Sequence, residues 1–267
     1  MSHPSLKGRV ILITGGTRGL GREMALALAC AGAHVAVTGS HASAALEDVK
    51  RALGGRALTL VADVTDKSAC TRAVAQTVET FGRLDVLINN AGLGMRAVSE
   101  TFNTVPTKFW EADTDAWARI VDTNTNGAFL MARAAVPYML DQHFGKIINI
   151  STSDITMVRA GYSPYGPTKA FLEAASRIWA ADLAGSGVDV NVLLPGGAAD
   201  TDLLPPSPNK RGADGNLLSP EIMRAPALWL CSDASNGTTG ARYIARLWNE
   251  DSPDAARDDT GDKPNIL

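Results

Sequence analysis

The stretch TGGTRGLG, residues 14–21, follows the apolar run RVILIT and leads into an Ala- and Leu-rich segment that begins near Arg22. The run before it predicts a buried strand, and the segment after it predicts a helix. A strand, a glycine-rich turn and a helix N-terminus together form a pyrophosphate site, because glycine lets the backbone approach the anion and the helix dipole favours its charge. A purely structural turn is the less favoured interpretation. The absence of a Gly-Lys-Ser or Gly-Lys-Thr sequence argues against a P-loop NTPase.

Short β-branched segments alternate with longer amphipathic ones along the whole chain. The segments that read as buried strands are RVILIT, HVAVTG, ALTLVAD, LDVLINN, KIINIS and VDVNVLL. This alternation predicts an α/β fold, namely a Rossmann-type doubly wound parallel sheet flanked by helices on both faces. The chain has 267 residues and no break in composition, so we expect a single domain over residues 1–267.

The composition narrows the choice of partners. The formal net charge is −3 and the basic residues do not cluster, so we expect neither a nucleic acid nor a membrane as partner. Cys30, Cys70 and Cys231 are too scattered for a disulfide framework or a cysteine metal site. No apolar run approaches the ~18 residues of a membrane span. We therefore expect a cytoplasmic protein without a metal site that binds a small molecule.

Two connections depart from the alternation of strands and helices. Residues 97–113, AVSETFNTVPTKFWEAD, carry Phe102, Phe109 and Trp110, and long connections of this kind are usually functional or disordered. The stretch from 203 to 220 is rich in Pro, Gly, Asn and Ser, which predicts a mobile substrate loop over about residues 198–220. Ligands of open α/β sheets bind beyond the carboxyl ends of the strands, where such connections could form a lid.

Several motifs occur in a fixed order and together resemble the short-chain dehydrogenase/reductase family of the compact type, whose glycine turn reads T-G-x-x-x-G-x-G. The resemblance covers roughly residues 8–240. The matching positions are Asp63 after the third strand, NNAG at 89–92, Asn124 in DTNTNG, STS at 151–153, YGPTK at 165–169 and LPGG at 194–197. The ordered set is specific, although each motif is weak alone. It implies an oxidoreductase that uses a nicotinamide cofactor.

The end of the second strand bears on which nicotinamide cofactor is used. NAD-dependent folds usually place an acid there, whereas an arginine nearby receives the 2′-phosphate of NADP. Here Gly39 occupies the position of the acid, and Ser40 and His41 follow it. No carboxylate opposes a phosphate, and Arg18 is a candidate to pair with one. We expect NADP(H) to be preferred and NAD(H) to be possible. The alternative for Arg18 is a solvated surface cation.

The resemblance implies further cofactor contacts. Asp63 matches the family's adenine-contacting acid, and it could also cap the following helix. Asn90 is expected to stabilise the central strands, and Thr201 is a candidate for bonding the carboxamide, although it stands one residue later than is usual. The residues expected to bind the cofactor are Gly15, Thr17, Arg18, Gly19, Leu20, Gly21, Ser40, His41, Asp63, Val64, Asn90, Ala91, Gly92, Tyr165, Lys169, Pro195, Gly196 and Thr201.

The stretch SPYGPTKAF, residues 163–171, carries the expected proton donor. Reduction of a carbonyl produces a developing alkoxide, which needs a nearby proton. Tyr165 and Lys169 share a helix face if the helix begins early enough. We expect Ser163 to be its N-cap and Pro164 its first residue, with Tyr162 outside it. By resemblance Tyr165 is the general acid/base, and Lys169 lowers its pKa and bonds the nicotinamide ribose.

Two further side chains complete the expected catalytic set. The resemblance implies a serine that bonds the substrate oxygen, and we expect Ser153, twelve residues before Tyr165, with Thr152 as the alternative. Asn124 matches a family residue that holds a water in a proton relay to the lysine. Its alternative role is that of a buried amide bonded to backbone, and the two roles are compatible.

The substrate side is less constrained by the sequence. The candidate pocket walls are Leu93, Met95, Ile155, Met157, Tyr162, Leu203 and Leu204. Apolar walls around a few polar groups suit a ketone or aldehyde with a hydrophobic body. ARYIARLW is expected to be the last strand. The tail beyond it, about residues 249–267, is atypical for the family, and we expect it to cross a neighbouring subunit or to hang free.

These expectations define an NADPH-dependent ketone or aldehyde reductase that is reversible as an alcohol dehydrogenase. By resemblance a homotetramer is expected, with a dimer as the fallback. The alternatives are an NAD-dependent alcohol or sugar dehydrogenase and a catalytically silent NADP(H)-binding sensor. A sugar epimerase or dehydratase of the extended branch is disfavoured, because that branch has a differently spaced glycine turn and a larger substrate domain.

Overall fold

The computed structural model of the chain describes residues 5–207, 210–212 and 215–258. Seven strands in this part form one parallel sheet in the order β3-β2-β1-β4-β5-β6-β7. They are β1 (Val10–Ile13), β2 (His34–Gly39), β3 (Ala57–Val61), β4 (Val86–Asn89), β5 (Gly145–Ile150), β6 (Val188–Leu194) and β7 (Arg242–Ile244). The chain winds outward from β1 to β3 and then returns to β4 beside β1, which creates a switch point there. The predicted doubly wound parallel sheet is confirmed.

Helices occupy the connections between the strands. They are α1 (Gly19–Cys30), α2 (Ala44–Leu53), α3 (Lys67–Phe81), α4 (Thr114–Val121), α5 (Gly127–Asp141), α6 (Asp154–Met157), α7 (Tyr165–Asp182) and α8 (Arg224–Cys231). Short polar side chains start several of them: Ser43, Asp66 and Asp113 each accept a hydrogen bond from a backbone N–H of the first turn. No helix within the described residues is long and apolar enough to span a membrane.

Strand β1 shows how the sheet divides the core into two layers. Ile11 and Ile13 are fully buried in the layer that α1 and α8 cover, whereas Leu12 is fully buried in the layer that α3 and α5 cover. Successive side chains of a strand point to opposite faces, so a continuous apolar run serves a sheet that is buried on both sides.

The two long connections fold against the carboxyl end of the sheet. In the first, Phe102 is buried, whereas Phe109 and Trp110 are exposed. In the second, the Leu218 N–H donates to the Ala198 carbonyl at 2.8 Å, which closes the base of the loop. Residues 208, 209, 213 and 214 of this loop lie outside the described residues, and its mobility stays a prediction.

Part of the C-terminal tail packs on its own chain. Arg257 forms an antiparallel bridge with Tyr243 of β7, and Ala256 is fully buried. The Asp258 N–H also donates to the Arg242 carbonyl at 2.9 Å. The expectation that the tail hangs free is therefore wrong for residues 256–258, and contact of the tail with a neighbouring subunit stays a prediction. Residues 259–267 of the expected tail lie outside the described residues.

Candidate active site

The glycine turn brings bare backbone to the start of α1. Gly15 and Gly19 have positive φ angles of 62° and 52°, a conformation that favours glycine. A Cβ on Gly21 would lie 2.7 Å from the Gly15 carbonyl oxygen and would also collide with the side-chain amide of Asn90. The turn therefore requires glycine at these positions, and α1 begins there with no acidic side chain in its first turn. This geometry suits an anion.

Asn90 ties the end of β4 to this turn. Its Nδ2 donates to the carbonyl oxygens of Thr14 and Gly15, both at 2.9 Å. The backbone N–H groups of Asn90 and Ala91 both donate to Thr14 Oγ1 at 3.0 Å. The two central strands are thereby held together at their carboxyl ends, beside the switch point of the sheet.

A cleft of about 1230 Å³ extends from this turn across the carboxyl end of the sheet. Every residue expected to bind the cofactor lines it, and so do Thr152 and Ser153. Of the expected pocket walls, Leu93, Met95, Ile155, Tyr162, Leu203 and Leu204 line the cleft. Met157 is buried and does not line the cleft, so that assignment is wrong. No cluster of potential metal ligands occurs among the described residues.

Helix α7 begins at Tyr165, one turn before Lys169. Pro164 occupies the N-cap position without a side-chain hydrogen bond, so the expected cap by Ser163 is wrong. Pro167 falls in the first turn, where a backbone N–H has no partner within the helix, and therefore does not break it. A Cβ on Gly166 would lie 2.9 Å from the Thr156 carbonyl oxygen, so glycine lets α7 start close to α6.

Tyr165 and Lys169 are both buried at the inner wall of the cleft. The Nζ of Lys169 lies 5.9 Å from the centroid of the Tyr165 ring and donates to the Ile150 carbonyl at 2.8 Å. Strand β5 thus fixes the lysine, and the helix fixes the tyrosine.

Burial dominates the proton affinities of this pair. It raises the pKa of Tyr165 to about 12, although a hydrogen bond with Thr152 lowers it in part. It lowers the pKa of Lys169 to about 8, against the opposing effect of Glu173. The structure therefore does not show the expected lowering of the Tyr165 pKa by Lys169. Tyr165 keeps its proton through the neutral range, as an acid requires, and Lys169 loses its charge above about pH 8.

The two hydroxyls after β5 have different partners. The Thr152 side chain lies close enough to Tyr165 to lower the pKa of the tyrosine. Ser153 is the N-cap of α6: its Oγ lies 2.9 Å from Thr156 Oγ1 and accepts the Thr156 N–H at 3.4 Å. The structure therefore favours Thr152 over the expected Ser153 as the hydroxyl beside Tyr165, and the catalytic role of both residues stays a prediction.

Asn124 lies behind the cleft in a π-helical segment, Asp122–Asn126, between α4 and α5. Its Oδ1 accepts the Leu93 N–H at 2.8 Å, and its Nδ2 donates to the Leu93 carbonyl at 2.9 Å and to Thr168 Oγ1 at 3.1 Å. The amide is buried and fully engaged. It joins the strand-end turn to α7, which is the structural role given as its alternative. The water relay stays a prediction.

At the far end of the cleft, the residues that follow β2 carry no carboxylate. Ser40 Oγ lies 3.0 Å from His41 Nδ1, and both residues are exposed. Arg18 is exposed and pairs with Asp202 at 3.4 Å. This surface ion pair is weak, so it leaves Arg18 available at the edge of the cleft.

The connection after β6 covers the glycine turn. Gly196 has a φ of 87° and lies against Ile244 and Arg246. The Thr201 methyl group packs against Gly19, where an added Cβ would lie 3.0 Å from it. The Leu203 side chain likewise packs against Gly94 and leaves no room for a Cβ there. The substrate loop therefore reaches back to the nucleotide side of the cleft.

An ion pair that the sequence did not reveal holds the backbone at Thr152. Arg242 Nε donates to the Glu173 carboxylate at 3.0 and 3.1 Å, and its NH2 donates to the Thr152 carbonyl at 3.2 Å. Ser151 Oγ donates to the same carboxylate at 2.6 Å. The available signal was the spacing of Lys169 and Glu173, which places the acid one turn after the lysine on the same face of α7.

Comparison with known proteins defines the class. Residues 9–212 match the family model described as short chain dehydrogenase. The chain belongs to the short-chain dehydrogenase/reductase family and is an NAD(P)-dependent oxidoreductase.

Individual relatives agree with this assignment. The chain is 35% identical over 201 residues to gluconate 5-dehydrogenase of Gluconobacter oxydans, covering 73% of this chain and 75% of that protein. It is 32% identical to a 3-oxoacyl-acyl-carrier-protein reductase of Thermotoga maritima, covering 88% and 95%. Among solved structures, the Brucella melitensis 3-ketoacyl-acyl-carrier-protein reductase complexed with NADH matches with a TM-score of 0.79 at 30% identity, covering 89% and 96%.

Proposed function

We propose that this enzyme reduces a ketone or aldehyde with NADPH and runs in reverse as an alcohol dehydrogenase. One observation carries the proposal: a buried tyrosine, beside a threonine hydroxyl and one turn from a buried lysine, lines the cleft that begins at the glycine turn. The relatives are named as dehydrogenases and reductases, and their substrates differ.

The residues present fit a nicotinamide dinucleotide. The glycine turn leaves a cradle that a Cβ would fill, and the cleft continues from it to Tyr165. Gly15, Gly19 and Gly21 would hold the pyrophosphate, Asp63 the adenine, and Lys169 the nicotinamide ribose. When bound, the cofactor supplies the hydride for reduction and accepts it in the reverse direction.

The chain's own side chains handle the proton and the oxygen charge. Tyr165 Oη delivers its proton to the substrate oxygen, which becomes the hydroxyl of the alcohol. Thr152 Oγ1 donates a hydrogen bond to that same oxygen as charge develops on it. The Lys169 ammonium favours the phenolate that remains on Tyr165. The buried Asn124 amide holds the Leu93 backbone in place. Ser153 holds α6.

The cofactor preference follows from the charges around the 2′ position. Gly39, Ser40 and His41 present no carboxylate there, and Arg18 lies at the same edge of the cleft. A phosphate would gain a charge-assisted hydrogen bond from Arg18. Use of NADH is the competing possibility, which the NADH complex of the Brucella relative supports.

Exposed apolar side chains on α5 and α7 support a homotetramer, with a dimer as the fallback. Phe129, Phe171 and Ile178 expose 46%, 50% and 60% of their surface, which is unusual for side chains of this size when neighbouring ones are apolar too. We propose that these two helices pack against further copies of the chain, and that the protein works in the cytoplasm. Light scattering that shows only monomer would refute the assembly.

The test is a panel of ketones, aldehydes and alcohols assayed by nicotinamide absorbance with both cofactors. We expect carbonyl reduction with NADPH at higher initial rates than with NADH at equal concentration. Equal or higher rates with NADH would overturn the cofactor preference. Inactivity across a broad panel, combined with tight NADPH binding, would instead favour the sensor.

A further inference from the structure

The substrate side of the cleft contains an arginine to which the proposed function gives no role. Arg159 lies between α6 and α7, and its half-buried side chain lines the cleft. Its guanidinium carbon stands 4.7 Å from the centroid of the Tyr162 ring, and its NH1 donates to Tyr162 Oη at 3.3 Å. The ring holds the guanidinium in place by a cation–π contact.

In the part of the chain that the structure describes, Arg159 has no anion to pair with. Within residues 5–207, 210–212 and 215–258, no carboxylate lies within ion-pairing distance of it, whereas Arg18, Arg96 and Arg242 on the same cleft pair with Asp202, Glu100 and Glu173. A guanidinium carries five N–H donors, and moving it partly out of water is unfavourable unless an anion compensates. The Arg159 guanidinium can therefore bind an anion from outside the described part of the chain.

The position of Arg159 relates it to the reacting end of the cleft. Tyr162 packs against the cluster formed by Met95, Phe102 and Tyr165. Tyr162 Oη also donates to Asn103 Oδ1 at 3.1 Å, which fixes the ring between the two long connections. An anion bound by Arg159 would thus lie one tyrosine side chain away from the proton donor.

We propose that Arg159 binds a carboxylate of the substrate, so that the substrates are oxo acids and the corresponding hydroxy acids. The inference rests on the proposed function, because it assumes that the substrate carbonyl is reduced beside Tyr165. A carboxylate matches one guanidinium in charge and in its two parallel hydrogen bonds. A doubly charged phosphate would need a second cation. Arg96 is held more firmly than Arg18, by two hydrogen bonds to the Glu100 carboxylate at 2.8 and 3.0 Å and one to the Asp202 carbonyl at 3.1 Å. Because the Tyr162 side chain contacts both Arg159 and the cluster that contains Tyr165, we take the carboxylate to be separated from the carbonyl by several bonds.

The test compares ligands that differ only in the charge. We would titrate 4-oxopentanoate, 5-oxohexanoate and their methyl esters into the protein with NADP+ present, by calorimetry. We expect the wild type to bind an acid about 10- to 100-fold more tightly than its ester, as a charge-assisted pair implies. Arg159→Gln should reduce this ratio to near one. The control Arg72→Gln, on α3 outside the cleft lining, should keep it. A wild-type ratio near one, or an unchanged ratio in Arg159→Gln, overturns the proposal.

Further measurements separate a structural role and the proposed function from this inference. Tyr162→Phe removes the hydroxyl that Arg159 and Asn103 share, and should keep most of the acid preference. If Arg159→Gln does not fold, Arg159→Lys keeps the charge without the planar fork, and should lower the ratio several-fold; no change overturns the proposal. Acid-selective binding without reduction, by NADPH, of any compound in the broad panel would overturn the proposed function and support only the carboxylate site at Arg159. Reduction of the esters as efficiently as the acids would support the proposed function and overturn this inference.

Discussion

The two halves of the cleft are built in different ways. The nucleotide half consists mainly of backbone and glycine from the turn at residues 14–21, tied to β4 by Asn90. The substrate half consists of side chains from separate segments, which meet through contacts such as Tyr162 with Asn103 and Leu203 with Gly94. One half therefore depends on a short continuous sequence, and the other on contacts between residues far apart in the chain.

This difference predicts that substitutions will separate the two halves functionally. A cofactor held by backbone is insensitive to most side-chain changes in the substrate half, because those side chains do not shape the glycine turn. The chemistry, by contrast, depends on single side chains. The substitutions below test that separation, from the largest expected effect to the smallest.

Tyr165→Phe should lower kcat/KM for carbonyl reduction by about 10³-fold, within the usual range for loss of a general acid. NADPH affinity should change by less than about twofold, since the phenol ring and the start of α7 are kept. Steady-state kinetics and NADPH fluorescence titration measure the two quantities. Near-normal turnover would remove Tyr165 from the mechanism, and a joint loss of binding and turnover would contradict the separation of the halves.

Thr152→Ala and Ser153→Ala form a matched pair within the substrate half. Thr152→Ala should lower kcat by about 10²-fold, because one hydrogen bond to the developing charge is lost. Ser153→Ala should keep kcat and lower the free energy of unfolding by about 1 kcal/mol, because it removes the N-cap of α6. Turnover and urea unfolding on both variants decide the assignment. The reverse pattern would restore Ser153 as the catalytic hydroxyl.

The same pair shows what the sequence could and could not predict. The sheet, the glycine turn and the Tyr165–Lys169 spacing follow from local patterns, since each is encoded within a few consecutive residues. The choice between two adjacent hydroxyls depends on where the chain turns after β5, and Ser153 turns out to start a helix of four residues that no periodicity reveals. Arg242 reaches Thr152 from the last strand, a contact that no local pattern contains.

The pH dependence should reflect the buried lysine. Lys169 is charged below its pKa of about 8 and neutral above it, so kcat/KM for reduction should fall about tenfold per pH unit once the pH rises past that value. Tyr165, with a pKa raised to about 12, keeps its proton throughout this range. Lys169→Arg should flatten the profile between pH 8 and 10, because arginine stays charged. A wild-type profile that is flat across that range would contradict the assignment.

The smallest effect is expected in the nucleotide half, at the cation proposed to meet the 2′-phosphate. Arg18→Gln should lower the ratio of kcat/KM with NADPH to that with NADH by about 10-fold, the lower end of the range for a hydrogen bond to a charged group, because Arg18 is exposed. Breaking its pair with Asp202 should cost little stability, since surface ion pairs are weak. Arg22→Gln, four residues further on in the first turn of α1 and outside the cleft lining, is the matched control and should leave the ratio unchanged. An equal change with both cofactors would mean that Arg18 acts on the substrate loop through Asp202, and the two halves would then be coupled at this point.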